Sequence, residues 1–583
     1  MNQEVGTRKR LQGNDDQYPV LGLRRASVDT HLYRPFDVMS GAMEIPGHVG
    51  VQTPWVVFDI AGGWGDVFMV AGVARELKQA YPQVRIEYHI PEQQSCALEN
   101  NPDISVVLPT GTGILAEEHY SVGYPSQFGD LWPGASWHWM RILCRALGLN
   151  FDPYTLRRSY YHRPKEILWG LDQLQEYERP WVFVHPYSSS WTTTKQWAKE
   201  NWQDVLPWVP GTVFVLGAND RENNQMPVGD NIVDWQDKHT YRETCALLHH
   251  ADLVMCMDSS VMHAAEASGA SRVITLYGST TPQMVGLFMD GVVNLEPRIH
   301  PCEPDRCWSR TESCDHECIN LIQPAEVVSA VRGVFSPGPY LPIEYVIVNW
   351  NSSALTNRVL EDLAKTCKTP GYIVTVVDNA SSSDDLQQVR EALHKWHGGR
   401  QRLIINNENR GFPAAVNQGI AQSDAEVVCL LNPDIEIHEA GWDLRLLATF
   451  EMLPRVGIVG AGSNEGAYFF APEKDHCEYS GMTRCDRVNG SCMAIHRRCL
   501  NKVPWMDEVY SPGICEETDY CIRAQALGLE VWWIPAEIVH LGGKVVEANE
   551  YQWSSGHKKN VGIFDERWKL FEMPFTGNVP KGY

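Results

Sequence analysis

The sequence predicts an α/β protein made of two consecutive doubly wound units followed by a third, separate α/β domain. Three observations carry this. From Trp55 onward, short apolar runs alternate with amphipathic stretches, the pattern of parallel β-α-β units. Glycine, aspartate, asparagine or serine follows several of those runs, where a strand would turn into a helix or loop. The stretch Ser336-Pro337-Gly338-Pro339, with Pro342 close behind, is the clearest linker in the chain.

Taken in order, residues 1–50 are polar, lack clear periodicity, and read as a loose arm or an addition to a sheet edge. Trp55–Ile60, Arg85–Ile90 and Ser105–Leu108 read as strands, with a helix over Val67–Ala80 between the first two. A polar, helix-prone stretch around Glu166–Glu178 leads to a second set of strands: Trp181–His185, Thr212–Leu216, Leu253–Met257 and Val273–Tyr277. Beyond the linker, Glu344–Val348 and Ile373–Val377 open the third unit. The expected boundaries are an arm at 1–50, halves at 51–175 and 176–335, a linker at 336–342 and a last domain at 343–583. The linker is expected to separate two self-sufficient cores.

Composition excludes several classes. The 583 residues are 44% hydrophobic and 21% charged, which rules out a mostly disordered or fibrous chain. The 49 Lys+Arg against 72 Asp+Glu leave a net charge of −23, a field that repels nucleic acid and anionic lipid at long range. No nucleic-acid partner and at most peripheral membrane contact are therefore expected. The most apolar stretch, Trp55–Ala74, carries Asp59, Asp66 and four glycines and cannot cross a bilayer as a helix. Sixteen cysteines without a repeating framework, and no leader-like start, read as reduced thiols in a cytoplasmic protein.

In the first unit, Gly62-Gly63-Trp64-Gly65-Asp66 sits where the first strand meets the first helix. The dinucleotide fingerprint fails, because Phe68 stands at its third glycine position, so a dehydrogenase is disfavoured. Asp66 reads as a cap of the following helix or as a general base facing a cleft. Lys195, after the hydroxyl-rich Ser188-Ser189-Ser190, suits a diphosphate leaving group. Asn219-Asp220-Arg221-Glu222 follows a strand, and an acid there can hold ribose hydroxyls or simply lie on the surface. Asp258-Ser259-Ser260-Val261-Met262-His263 opens a helix, which makes it an ordinary N-cap or a diphosphate site.

Over roughly residues 52–335 these motifs resemble the heptosyltransferase family, glycosyltransferase family 9. The resemblance rests on G-x-G-D, K-x-W at Lys195, the D-[ST]-x-x-x-H block, and Tyr277-Gly278-Ser279-Thr280-Thr281-Pro282. It implies a GT-B fold of two facing Rossmann-like halves and metal-free, inverting sugar transfer. Asp66 becomes the base, Lys195 a diphosphate contact, and Glu222 a ribose ligand. Asp258, Ser259, Ser260 and His263 form the donor-binding block. Ala198 departs from a usual Pro, and Ser260 from a usual Gly. Cys302, Cys307, Cys314 and Cys318 form C-x4-C-x6-C-x3-C, read either as a structural Zn2+ or Fe site or as a reduced cysteine-rich loop.

In the last domain, Asn349 ends one apolar run and Asp378 another, where an acid can read a base or ribose. Asn409-Arg410-Gly411-Phe412 introduces a helix. Asp434 and Glu436, one residue apart after the strand-like Val427–Leu431, can share a divalent cation that neutralises a diphosphate. Glu516, Glu517 and Asp519 cluster at a helix start, as a cap or as a general base, and His540 is a late metal or phosphate ligand. Seven ordered blocks over residues 343–545 resemble the family 2 glycosyltransferases, rhamnosyltransferase-like branch. That resemblance implies a GT-A fold, inverting transfer and Mg2+ or Mn2+. It assigns Asp378, with Asn349, Asn409 and Arg410, to the donor, Asp434 to the metal and Glu517 to base catalysis, although Glu517 stands where Asp is usual.

The expected function is a bifunctional inverting glycosyltransferase that moves sugars from nucleotide-sugar donors to a glycan or glycolipid acceptor. Lipopolysaccharide, capsule or a related surface polysaccharide is the expected acceptor class, met in the cytoplasm or at the inner membrane face. The rivals are a protein or nucleobase glycosyltransferase, or one active domain joined to an inactive sugar-binding module.

Overall fold

The computed structural model describes residues 24–27, 30–33, 55–59, 62–113, 119–123, 138–147, 149, 156–187, 195–217, 229–298, 318–335, 342–396, 398–462, 467–468, 478–479, 482–549 and 554–568. The first sheet has a parallel core in which Trp55–Asp59 lies between Arg85–Ile90 and His119–Gly123. Arg24–Ser27 and Thr30–Tyr33 extend its edge as an antiparallel pair beside His119–Gly123, so part of the N-terminal segment is a sheet addition. Val56, Phe58, Ile86 and Tyr88 pack against the buried face of the helix Trp64–Ala80. That helix starts three residues earlier than its apolar period suggests, which makes Asp66 its third residue and Gly63 its N-cap.

The second sheet is entirely parallel, in the order Val292–Leu295, Val273–Leu276, Leu253–Met257, Trp181–His185, Thr212–Val215, Ile232–Asp234. Numbered along the chain this is 6-5-4-1-2-3, a doubly wound order whose direction reverses between the first and fourth strands. Ligands of such sheets sit outside the carboxyl ends of the strands at that reversal. His185 ends the first strand there, and Asp258 and Ser259 directly follow the fourth.

The third sheet has nine strands. Arg400–Ile405, Ile373–Asp378, Ile343–Asn349 and Val427–Leu431 are parallel. Cys492–His496 then runs antiparallel and joins Val456–Gly462 and Glu530–Pro535. A separate two-stranded ladder pairs Ile435–Ile437 with Ile538–His540. The C-terminal helix Ser554–Trp568 packs Phe564 and Trp568 beside Tyr510.

Residues 336–341 of the expected linker lie outside the described residues. The cores on its two sides are not separate. Phe288 and Val292 belong to one continuous apolar cluster with Cys499, Leu500, Val503 and Met506. A polar linker marks where the chain crosses between units, but it does not record which faces later dock.

Candidate active sites

The first site forms where the two Rossmann-like halves meet. Asp66 is part-buried, and its Oδ2 accepts the Gly63 N–H at 2.7 Å. It thus caps the helix by reaching back to the N-cap. Burial pushes its carboxyl up to about 6, against the opposing pull of that N–H and of Lys195. The Lys195 ammonium lies 2.5 Å from Asp258 Oδ2, which also accepts the Thr280 hydroxyl at 2.6 Å. Ser259 is the N-cap of the helix Ser260–Ser268, and its hydroxyl lies 3.0 Å from His185 Nδ1. Burial lowers His185 to about 4, so its ring is neutral near pH 7.

Two contacts lock the halves together at this point. The rings of Trp64 and Tyr241 stack with centroids 4.0 Å apart. Gly65 faces His263 so closely that a Cβ on it would come within 2.4 Å of the imidazole Cδ2. Only glycine permits that approach.

Behind His263 lies a buried ion pair. Arg158 donates from Nε to His263 Nδ1 at 2.7 Å and from Nη1 to Glu266 Oε2 at 2.5 Å. Its Nη2 donates to the carbonyls of Val285 and Gly286. Burial and the Arg158 charge hold the His263 imidazolium form well out of reach, so the ring is neutral with Nδ1 as acceptor. Removing one partner of such a pair leaves an uncompensated buried charge. Arg158→Met is therefore expected to lower the unfolding free energy by about 3–5 kcal/mol, measured by urea denaturation. A loss below about 1 kcal/mol, the surface-pair range, would show that the pair carries little.

The second site sits at the carboxyl ends of the parallel strands of the third sheet. Asn349 is fully buried and donates to Asp378 Oδ1 at 2.9 Å and Asp385 Oδ1 at 2.8 Å, while Thr356 donates to its oxygen at 2.7 Å. Asn349 thus orients the strand-end carboxylate of Asp378 and the Asp385 carboxylate in the first turn of the helix Ser383–His394. Asn379 binds the Asn409 side chain and the Arg410 N–H, which shapes the turn before the helix Phe412–Ala421. Gly411 in that turn has φ +81°, and a Cβ there would lie 2.0 Å from the Ser511 hydroxyl. The turn therefore requires glycine.

Asp434 is buried, with Oδ1 3.2 Å from His540 Nε2, while its Oδ2 accepts the Lys544 N–H at 3.1 Å. Burial alone would raise its carboxyl, but the His540 hydrogen bond and charge and the Lys544 N–H together hold it below the usual range. Glu436 is turned to other partners, Arg358 at 2.8 Å and His438 at 3.4 Å. Among the described residues, no group of three or more His, Cys, Asp or Glu side chains is arranged to hold a metal ion.

The helix Glu516–Ala526 carries the remaining acids. Glu517 Oε1 lies 3.8 Å from Arg487 Nη1. A Cβ on Gly490 would stand 3.6 Å from Glu517, and the Ser491 carbonyl accepts the Asn432 N–H at 2.9 Å. Gly490-Ser491 thereby links Glu517 to the turn that carries Asp434. Glu516 is buried, and burial together with the Glu517 charge raises its carboxyl well above the usual range. Asp519 is a fully buried structural acceptor for Arg523, Arg567 and Trp568.

Comparison with known proteins assigns both regions. The model of "Glycosyltransferase family 9 (heptosyltransferase)" matches residues 149–315, and that of "Glycosyl transferase family 2" matches residues 340–490. Models of two glycosyltransferase families thus match the chain in tandem. With the sheet orders above, the family 9 region is a GT-B fold and the family 2 region a GT-A fold. An uncharacterized protein, y4gI, of Sinorhizobium fredii (strain NBRC 101917 / NGR234) is 26% identical over 194 residues, 29% of this chain. The match spans 21% of that relative's length. Among solved structures, ADP-heptose LPS heptosyltransferase II of E. coli is 15% identical with a TM-score of 0.36, covering 48% of this chain and 98% of its own. A mannosyltransferase from Pyrobaculum calidifontis, solved with GDP-Man and Mn2+, is 13% identical with a TM-score of 0.30, covering 40% and 65%.

Of the residues singled out in the family 9 region, the tertiary structure gathers Asp66, Lys195, Asp258, Ser259, Ser260 and His263. Glu222 and Cys302, Cys307 and Cys314 lie outside the described residues, and Cys318 is buried in the short turn Cys318–Leu321. In the family 2 region, Asp434 meets His540, and Asn349 meets Asp378. Sequence reading missed Arg158, Glu266 and Arg487. Arg158 has no motif around it, and its partners are more than a hundred positions away. Thr280, inside the Tyr277–Pro282 block, gains a role only through its hydrogen bond to Asp258. No helix of the described residues is long and apolar enough to cross a membrane.

Proposed function

We propose that this tandem glycosyltransferase is bifunctional and inverting, with one nucleotide-sugar site in the family 9 region and one in the family 2 region. The division follows 51–175 and 176–335 for the two GT-B halves and 343–583 for the GT-A domain with its C-terminal helix. The observation that carries the reading is Asp66. Burial between the two halves pushes its carboxyl up to about 6, which leaves it ionised at neutral pH yet basic enough to take a hydroxyl proton. It stands within electrostatic reach of Lys195 and Asp258.

In the first site the acceptor oxygen loses its proton to Asp66 and attacks the anomeric carbon as the bond to the nucleoside diphosphate breaks. The departing diphosphate gains charge beside Lys195 and the N-terminus of the helix Ser260–Ser268, which favours anions. Asp258 holds Lys195 in place and also accepts the Thr280 hydroxyl, so its charge is satisfied by both donors. Glu222 is proposed to read the ribose.

In the second site Glu517 is the base, Asp378 with Asn409 and Arg410 takes the nucleotide, and Asp434 with His540 is the metal pair. The Asp434 carboxylate is the hard oxygen ligand that Mg2+ or Mn2+ takes, and His540 lies 3.2 Å from it as the second protein group. Glu436 pairs with Arg358 and is left out of this metal pair. When bound, a divalent ion supplies charge neutralisation for the donor diphosphate.

The acceptor class is a glycan or glycolipid of a surface polysaccharide. Incubating the full chain with a panel of nucleotide sugars and candidate acceptors, and following nucleotide release, tests the reading. Two distinct donors turned over are expected, one of them independent of divalent metal. Release from no donor in the panel would overturn it.

A further inference from the structure

The geometry points to Lys502 of the family 2 domain as a positioning residue of the family 9 site, which makes the second domain a structural part of the first active centre. Lys502 ends the helix Arg497–Lys502 and is buried. Its ammonium donates across the domain boundary to the Phe288 carbonyl at 3.0 Å and, within its own domain, to the Leu527 carbonyl at 3.3 Å. Its own carbonyl accepts the Asn294 amide at 3.0 Å, so the contact is held from both sides.

From Phe288 a continuous chain of hydrogen bonds runs to the first site. The Phe288 N–H donates to Glu266 Oε1 at 2.8 Å, and Glu266 Oε2 pairs with Arg158. Arg158 donates to His263, whose ring lies against Gly65, next to Asp66. In the other direction, Leu527 closes the helix whose first turn carries Glu517. A cation at a helix C-terminus is favoured by the exposed carbonyls. Lys502 therefore stands between the base-bearing helix of one site and the backing network of the other. Packing alone would be met by methionine, which matches the lysine stem without donating. A buried ammonium has to be matched by its acceptors, and here they belong to two domains.

The inference rests on the two-site reading above, and the test separates the two. In the full chain, with EDTA present, nucleotide release is followed for the metal-independent donor. Lys502→Met is expected to lower kcat by about three- to thirtyfold while leaving the donor KM within about twofold, as loss of positioning rather than binding requires. Glu266→Gln breaks the same chain, so the double variant should be no slower than Glu266→Gln alone. Amide hydrogen exchange on the same proteins should quicken in the helix Ser260–Ser268 and stay unchanged in the distant strand Ile373–Asp378. Should Lys502→Met not fold, Lys502→Gln, which keeps a donor, is expected to fold and to lower kcat at an unchanged donor KM. An unchanged kcat, multiplicative effects in the double variant, or exchange quickened equally throughout would each overturn the inference. If the wild type turns over no donor, the two-site reading fails by itself, and the exchange pattern still decides the role of Lys502.

Discussion

Asp66→Asn is expected to remove about 10²–10⁴-fold of the turnover at the first site while leaving donor binding nearly intact. The amide oxygen can still accept the Gly63 N–H, so the helix start survives, but the side chain can no longer take the acceptor proton. The wild-type rate should follow the ionised carboxylate, so kcat/KM should fall as pH drops through about 6. The stability sign runs the other way. Burial raises the folded pKa from 3.8 to about 6, so ionising Asp66 costs the folded state stability above that range, and the cost vanishes below pH 4. The Asn variant should thus be more stable than the wild type at pH 7, by up to about 3 kcal/mol. That advantage should disappear near pH 3.5. Stability–activity opposition of this kind marks a functional carboxylate. An active variant, or one less stable than wild type at pH 7, would leave Asp66 as a helix cap only.

The second large effect divides the sites by metal. EDTA is expected to abolish turnover of one donor and spare the other, and Asp434→Asn should reproduce the chelator's effect on that donor alone. The physical difference lies in the charge each site offers a diphosphate. The first has the Lys195 ammonium and a helix N-terminus in place. The second has Asp434 held ionised beside His540, which repels a diphosphate unless a cation intervenes. His540→Ala should weaken metal affinity by about 10- to 100-fold if it is a ligand or orients one, measured as the Mn2+ concentration for half-maximal turnover. Equal EDTA sensitivity of both donors, or of neither, would overturn this division.

Much of the fold was legible because parallel strands are buried on both faces and read as short apolar runs. Arg85–Ile90, Trp181–His185, Leu253–Met257 and Val427–Leu431 form as their residues suggest. The apolar period marks the first helix only from Val67, since Trp64-Gly65-Asp66 lacks that period and looks like turn. Its helical state comes from docking: Trp64 stacks on Tyr241 and Gly65 meets His263, both from the other half.

The sites divide along the same line. Motifs local in sequence, such as Gly62–Asp66 and Asp258–His263, were visible because a strand end and a helix start need particular residues within a few positions. Asp434 and Glu436 looked like one ligand pair because they are spaced by one residue. The tertiary structure separates them: Arg358 takes Glu436, and the ladder between Ile435–Ile437 and Ile538–His540 brings His540 to Asp434 instead. The sequence by itself determined the order of strands and helices, the two family motif sets and the carboxylates at strand ends, since these depend on short-range periodicity and turn chemistry. Only the tertiary structure decided the Arg158–Glu266 pair, the raised Asp66 carboxyl and the Lys502 contact with Phe288. Each of these depends on desolvation and on groups that meet only when distant faces are buried together.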